Sequence, residues 1–120
     1  MNFLFVAMGG ALGALGRYLI SLIPVTTIFP ILTLITNILG AVLIGFVVGL
    51  VGTKNQLSPY ATLFWQTGVC GGFTTFSTFS LEAVTLLEHQ HYWLSGLYMV
   101  LSVLCCLIGV VVGKKLALGF

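Results

Sequence analysis

Apolar residues fall into four long blocks, separated by short stretches marked by proline or polar residues. The blocks cover about residues 2–23, 31–51, 60–87 and 92–113. An α-helix needs about 20 consecutive apolar residues to cross the hydrocarbon of a bilayer, and each block reaches that length. Pro24 and Pro30 bracket the first connection. The second is the most polar part of the chain, with Thr53, Lys54, Asn55, Gln56 and Ser58, and Pro59 then opens a helix where its missing N–H costs nothing. Glu88-His89-Gln90-His91 forms the third connection as a tight turn, and Lys114-Lys115 stop the fourth helix. Such short connections make neighbouring helices antiparallel. The pattern predicts one all-α membrane domain over residues 1–120 with four transmembrane helices.

Composition strengthens this picture. Hydrophobic residues make up 59% of the 120 residues and charged residues only 5%, against about 25% charged in ordinary soluble domains. So few charges cannot cover a water-facing surface, which makes lipid a partner over most of the molecule. A formal charge of +2 with no basic run excludes a nucleic-acid partner. Residues 1–23 are read as a helix rather than a cleaved leader, because no basic segment precedes the apolar run and Arg17 comes late in it. Tyr18, Phe29, Tyr60, Tyr92 and Trp93 lie near the predicted interfaces, as membrane aromatics do. Cys70, Cys105 and Cys106 sit in apolar stretches and read as packing residues. No nucleophile–base–acid set exists, so the chain is not read as an enzyme. The first, second and fourth blocks contain no acidic residue. That argues against a small multidrug exporter, which needs an embedded carboxylate for proton coupling. A subunit serving only assembly is the other rival.

Glycines recur four residues apart at Gly9 and Gly13, Gly45 and Gly49, Gly68 and Gly72, and Gly109 and Gly113. In lipid there is little hydrophobic drive between helices, and small residues that let backbones approach are the main packing device. Four such helices leave little interior, so a site or pore is more easily built between two copies, and a dimer is expected.

The third block holds the densest chemistry: Gly71-Gly72-Phe73-Thr74-Thr75-Phe76-Ser77-Thr78-Phe79-Ser80. Paired glycines followed by hydroxyl residues make poor helix, because local hydroxyl-to-backbone bonds compete with the ladder. A break is predicted near residues 71–75, with the helix restarting around Phe76. Irregular backbone at membrane depth is tolerated where it is buried in protein or lines a wet cavity. It frees carbonyls for a cation and N–H groups for an anion. The pattern fits either such a site or a plain kink. Phe76 and Phe79 share a helical face. Their rings either pack or offer positive edges to a small anion without a trapping charge.

Asn37 lies deep in the second block, either as interhelical glue or as a donor to an anion. Tyr98, Ser102 and Cys106 form a weakly polar stripe at spacings of four. Arg17 is a snorkelling anchor or a positive vestibule residue. Glu82 is expected near the interface. His89 and His91 lack a third ligand for a metal.

Together these segments closely resemble the CrcB/Fluc family of fluoride channels. The resemblance covers essentially the whole chain. It rests on Gly9-Gly10 with Gly13-Ala14 and Arg17-Tyr18, on Asn37 with Gly40 and Gly45, and above all on the Gly71-to-Phe79 run. It implies passive, fluoride-selective export across the cell membrane by an antiparallel dual-topology dimer with two pathways. It implies that Phe76 and Phe79 coordinate fluoride edge-on and that Asn37 is the pore amide. Ser77, Thr78, Tyr98 and Ser102 become pore-lining hydroxyls and Arg17 a vestibule residue. It further implies one structural Na⁺ at the dimer axis, held by the backbone carbonyls of Gly71 and Thr74 from both subunits. Cys106 departs from the pattern, standing where a hydroxyl would continue the stripe.

Four crossings put both termini and the Lys54 loop on one side, with Lys54, Lys114 and Lys115, against Arg17 near the other edge. The positive-inside rule then favours cytoplasmic termini. A dual-topology homodimer is the default expectation, and a heterodimer with an oppositely oriented homologue the alternative.

Overall fold

A computed structural model describes residues 1–54 and 57–119, with residues 53 and 54 described by backbone alone. Asn55 and Gln56 of the polar loop therefore lie outside the described residues. Helix α1 spans Asn2–Ser21 and α2 spans Ile31–Gly49, which runs on as a π-helical turn over Leu50–Lys54. The third block is composite. It begins with α3 (Pro59–Thr62), widens into a π-helix over Leu63–Cys70, and tightens again in α4 (Gly71–Phe73). Pro59 stands at the helix start, and the Ser58 hydroxyl accepts a hydrogen bond from the Ala61 amide at 3.1 Å, capping it. After the extended residues Thr74 and Thr75, α5 runs over Phe76–Glu88, and α6 over Tyr92–Leu118.

Among the described residues, three segments are long and apolar enough to cross a membrane: Asn2–Ser21, Ile31–Gly52 and Tyr92–Leu118. The third block is divided by its break, and α5 alone has only 13 residues. The long axis of the chain measures 48 Å, comparable with a bilayer of about 40–45 Å including headgroups. Large apolar side chains face outward along the helices, Phe3 at 91% and Trp93 at 80% exposure among them. This is a multi-pass membrane protein.

Several boundaries differ from the sequence expectation, the second helix among them, which runs on to Lys54 where a connection was expected. The break is shorter than residues 71–75, because Gly71–Phe73 stays helical and only Thr74 and Thr75 take extended backbone, the Thr74 amide still bonding the Cys70 carbonyl at 3.0 Å. The fourth helix passes through Lys114 and Lys115 to Leu118 and ends where Gly119 turns left-handed, at φ 89°. Lysine ends an apolar stretch but is a good helix former, whereas a left-handed glycine is a genuine helix stop. The turn after α5 is tight as expected. Gln90 takes φ 65°, the His91 amide bonds the Leu86 carbonyl at 2.8 Å, and the Gln90 amide bonds the Leu87 carbonyl at 3.0 Å. That is a Schellman closure with glutamine in the usual glycine place.

The closest packing joins helices that run in the same direction. Along the seam of α1 with the composite third helix, a Cβ on Gly9 would strike the Phe64 carbonyl oxygen, and one on Gly13 the Val69 carbonyl oxygen. Along the seam of α2 with α6, Gly45 meets the Val110 carbonyl and Gly113 the Val42 carbonyl in the same way. Backbone therefore touches backbone where the sequence has small residues four apart. A compact core of Leu34, Ala83, Leu86 and Tyr98 ties α2, α5 and α6 together, with Phe29 and Phe79 packed on it.

Candidate functional site

The break is built by side chains replacing lost ladder bonds. Asn37 on α2 faces Thr75 with both ends of its amide. Its Nδ2 donates to the Thr75 carbonyl at 3.2 Å, and its Oδ1 accepts from the Thr75 amide at 2.9 Å. The Thr75 hydroxyl then caps α5, accepting from the Thr78 amide at 3.1 Å. In an unbroken helix the amides of Thr75 and Thr78 would bond the carbonyls of Gly71 and Thr74, four residues earlier. Both amides are diverted, so those two carbonyls are released from the ladder. Below the break, Arg17 Nε donates to the Gly72 carbonyl at 3.2 Å, placing a cation at the carbonyl end of the upstream helix. Gly40, three residues after Asn37, lets α2 close onto the Thr74 side chain; a Cβ there would collide with the Thr74 methyl group.

Beside the break lies a groove of about 410 Å³, walled by α2, the composite third helix and α6. Asn37, Thr74, Thr75, Phe76, Phe79 and Ser102 all border it. The walls are largely apolar with few polar groups, the usual make-up of a binding cleft. Phe76 projects from the folded chain at 79% exposure. Its ring centroid is 5.6 Å from that of Phe79, which in turn is 5.1 Å from that of Tyr98. Ser102 is buried, and its hydroxyl has no hydrogen-bond partner among the described residues. A buried hydroxyl left unpaired is costly unless something visits it.

The expected site residues thus fall in four places. Asn37, Phe76, Phe79 and Ser102 converge on the groove, together with the backbone at Gly71 and Thr74. Thr78 instead borders a second cavity of about 90 Å³ with Arg17, Ser21, Thr33 and Thr36. Ser77 is exposed and lies 3.4 Å from the Thr75 hydroxyl. Tyr98 is wholly buried and donates its hydroxyl to Glu82 Oε1 at 2.9 Å, reaching the groove only through the Phe79 ring. Glu82, expected near the interface, is drawn half-buried toward the interior by that bond.

Gln66 and Cys70 were not among the expected residues, yet both border the groove. Their spacing of four puts them on one face, a signal readable once the third block is aligned on Gly71 and Thr74. The histidines flank the turn, where His89 Nδ1 approaches the Thr85 carbonyl at 3.1 Å.

Residues 4–114 match the model of the CrcB-like proteins, also described as camphor resistance CrcB. The chain belongs to the CrcB-like family. Members similar to it include proteins named fluoride-specific ion channel FluC from three organisms. The one from Flavobacterium psychrophilum is 42% identical, covering 93% of this chain and 96% of that protein. Those from Methanococcus maripaludis and Ruminiclostridium cellulolyticum are 45% and 46% identical, each over 98% of this chain and over 96% and 92% of their own lengths. The CrcB match contains every residue of the groove and the break, and stops within α6.

Proposed function

We propose that this protein is a fluoride-specific ion channel that lets cytoplasmic fluoride leave passively, and is not an enzyme. The observation that carries the reading is the break at Thr74 and Thr75, braced by Asn37 beside a groove edged by Phe76 and Phe79. Fluoride is a small, strongly hydrated anion. To leave water it needs donors that do not hold it as a fixed charge would. Asn37 uses one Nδ2 hydrogen on Thr75 and keeps a second for an anion. The phenyl edges of Phe76 and Phe79 present partial positive charge, and the unpaired Ser102 hydroxyl can turn toward the same space. Ser77 at the surface, Thr78 at the cavity beside Arg17 and Tyr98 behind the Phe79 ring lie outside the groove itself and would line the path beyond it, with Glu82 holding the Tyr98 hydroxyl in position. Arg17, drawn to the break, raises the local potential for anions.

The composite third helix and α5 together make a fourth crossing, so the single domain has four transmembrane helices. Phe76, projecting from the protomer, and the exposed Gly71 favour a second, antiparallel copy against this face. The carbonyls of Gly71 and Thr74, released by Asn37 and Thr75, are hard oxygen donors of the type a Na⁺ requires. Two copies of the pair meeting at the dimer axis would hold the ion, and Na⁺ there supplies a fixed positive charge that favours anions. A bias of three lysines against one arginine between the two sides is small enough for a dual-topology homodimer, and a heterodimer with an oppositely oriented homologue is the alternative.

Efflux of fluoride from liposomes containing purified protein, read with a fluoride electrode against chloride controls, tests the function. Expected is fluoride flux without a proton gradient and no chloride flux. Flux that depends on a proton gradient, or that carries chloride equally, would overturn the channel reading. Labelling a Lys115→Cys protein in intact cells tests the orientation: about half of the copies reachable from outside matches dual topology.

A further inference from the structure

The groove continues beyond Ser102 toward Ile44 and Val110, and Cys106 stands there where the polar stripe would ask for a hydroxyl. We propose that Gln66 forms an anion subsite at this end of the groove, its side-chain amide supplying the donor that Cys106 lacks. The proposal rests on the fluoride-channel reading and extends the ion path to a residue on a different helix.

Four observations carry it. Gln66 borders the same groove as Asn37, Phe79, Ser102 and Cys106. It is half-buried within a largely apolar segment, and no hydrogen bond to a described residue engages its amide. An amide held among apolar groups without a partner is costly, so its place needs a ligand or water to satisfy it. Ser102, on the facing helix, is a buried donor that no described residue engages, and it borders the same space. Two unsatisfied neutral donors on opposite walls are what a passing anion needs. Finally, Gln66 sits in the π-helix Leu63–Cys70. A π-helix inserts an extra residue per turn and re-aims the side chains beyond it, and such segments gather at functional sites.

The chemistry also separates Gln66 from its neighbours. A thiol is a weak donor, while a primary amide carries two strong N–H donors and no net charge. Ile44 and Val110 offer none. Among the described residues bordering this end, Gln66 alone can replace water around a small anion without trapping it. Its side chain is also long enough to follow the ion as it moves toward Ser102.

The test uses the full-length protein in liposomes, with fluoride efflux and the oligomeric state in detergent measured together. Gln66→Leu is expected to lower fluoride flux about tenfold, the effect of one lost neutral donor, while the oligomeric state stays that of the wild type. Gln66→Glu should lower it further, by putting a negative charge in an anion path. Adding Cys106→Ser to Gln66→Leu should restore flux several-fold, because a hydroxyl then returns one turn from Ser102. A purely structural role for Gln66 would not be rescued from the opposite helix. Wild-type flux in Gln66→Leu, flux lost together with the oligomer, or no rescue by Cys106→Ser would each overturn the subsite and leave the channel reading standing. No fluoride flux in the wild type would overturn both.

Discussion

The glycine seams and the groove lie within a few residues of each other, yet they use small residues in opposite ways. In the seams, Gly9, Gly13, Gly45 and Gly113 disappear against a facing carbonyl, and no space remains. Around the groove, Gly71 meets nothing within 4 Å of where its Cβ would be, the Ser102 hydroxyl has no described partner, and the Phe76 ring is largely exposed. Gly40 belongs to both regions, since its missing side chain admits the Thr74 methyl group and so helps shape the break. The seams hold parallel helices rigidly enough for the groove to stay incompletely filled. In lipid, where association depends on close packing more than on hydrophobic drive, rigidity in one place is what permits an unfilled groove in another.

The most forceful way to break the comparison is to fill a seam. Gly13→Val and Gly113→Val each push a side chain into a backbone carbonyl. Each should destabilise the protein by about 3 kcal/mol or more, seen as loss of monodisperse protein on size-exclusion chromatography in detergent. Gly96→Ala serves as the control. Gly96 meets nothing within 4 Å and lies inside α6, so that change should leave stability equal or slightly raised.

Next in size is the brace across the break. Asn37→Leu removes both bonds to Thr75 and leaves its amide and carbonyl without those partners. The expected cost is about 2–3 kcal/mol in thermal unfolding, with fluoride flux lost. Asn37→Asp keeps an acceptor for the Thr75 amide but sets a carboxylate oxygen against the Thr75 carbonyl. Flux should fall strongly, with a smaller loss of stability. A stable Asn37→Leu protein would mean that the break holds itself.

The two phenylalanines sharpen the contrast between packing and path. Phe79 packs between Phe76 and Tyr98, whereas Phe76 is largely exposed. Phe79→Ile should therefore lower both stability, by about 1 kcal/mol, and flux. Phe76→Ile should lower flux by about tenfold or more while leaving thermal stability within error of the wild type. Normal flux in both variants would make the rings packing residues only.

The smallest effect is expected at Ser102. Ser102→Ala removes a buried hydroxyl that has no partner among the described residues. Stability should stay equal or rise by up to about 1 kcal/mol, while flux falls. A clear loss of stability would mean that the hydroxyl bonds within the folded chain and is not held ready for an ion.

The sequence alone determined the solvent, the helices and the place of the break. Four apolar blocks and so few charges admit only a membrane protein. Adjacent glycines and hydroxyl residues mark where a helical ladder fails, because their local bonding competes with it. The Gly71-to-Phe79 run and the spaced glycines were enough to reveal the family resemblance. Tertiary structure alone decided how far the break extends and which polar groups share a space. Gly71–Phe73 stays helical because what ends the ladder is Asn37, 38 residues away in sequence, taking the Thr75 amide. Thr78 and Ser102 look like parts of one polar track in sequence, yet the fold sends Thr78 to the cavity beside Arg17 and Ser102 to the groove. Gln66 reads as an ordinary polar residue near a helix start until the π-helical stretch sets it on the groove wall. Local bonding competition is written in neighbouring residues and can be read there, whereas sharing a cavity depends on the register between helices, fixed only when the glycine seams close.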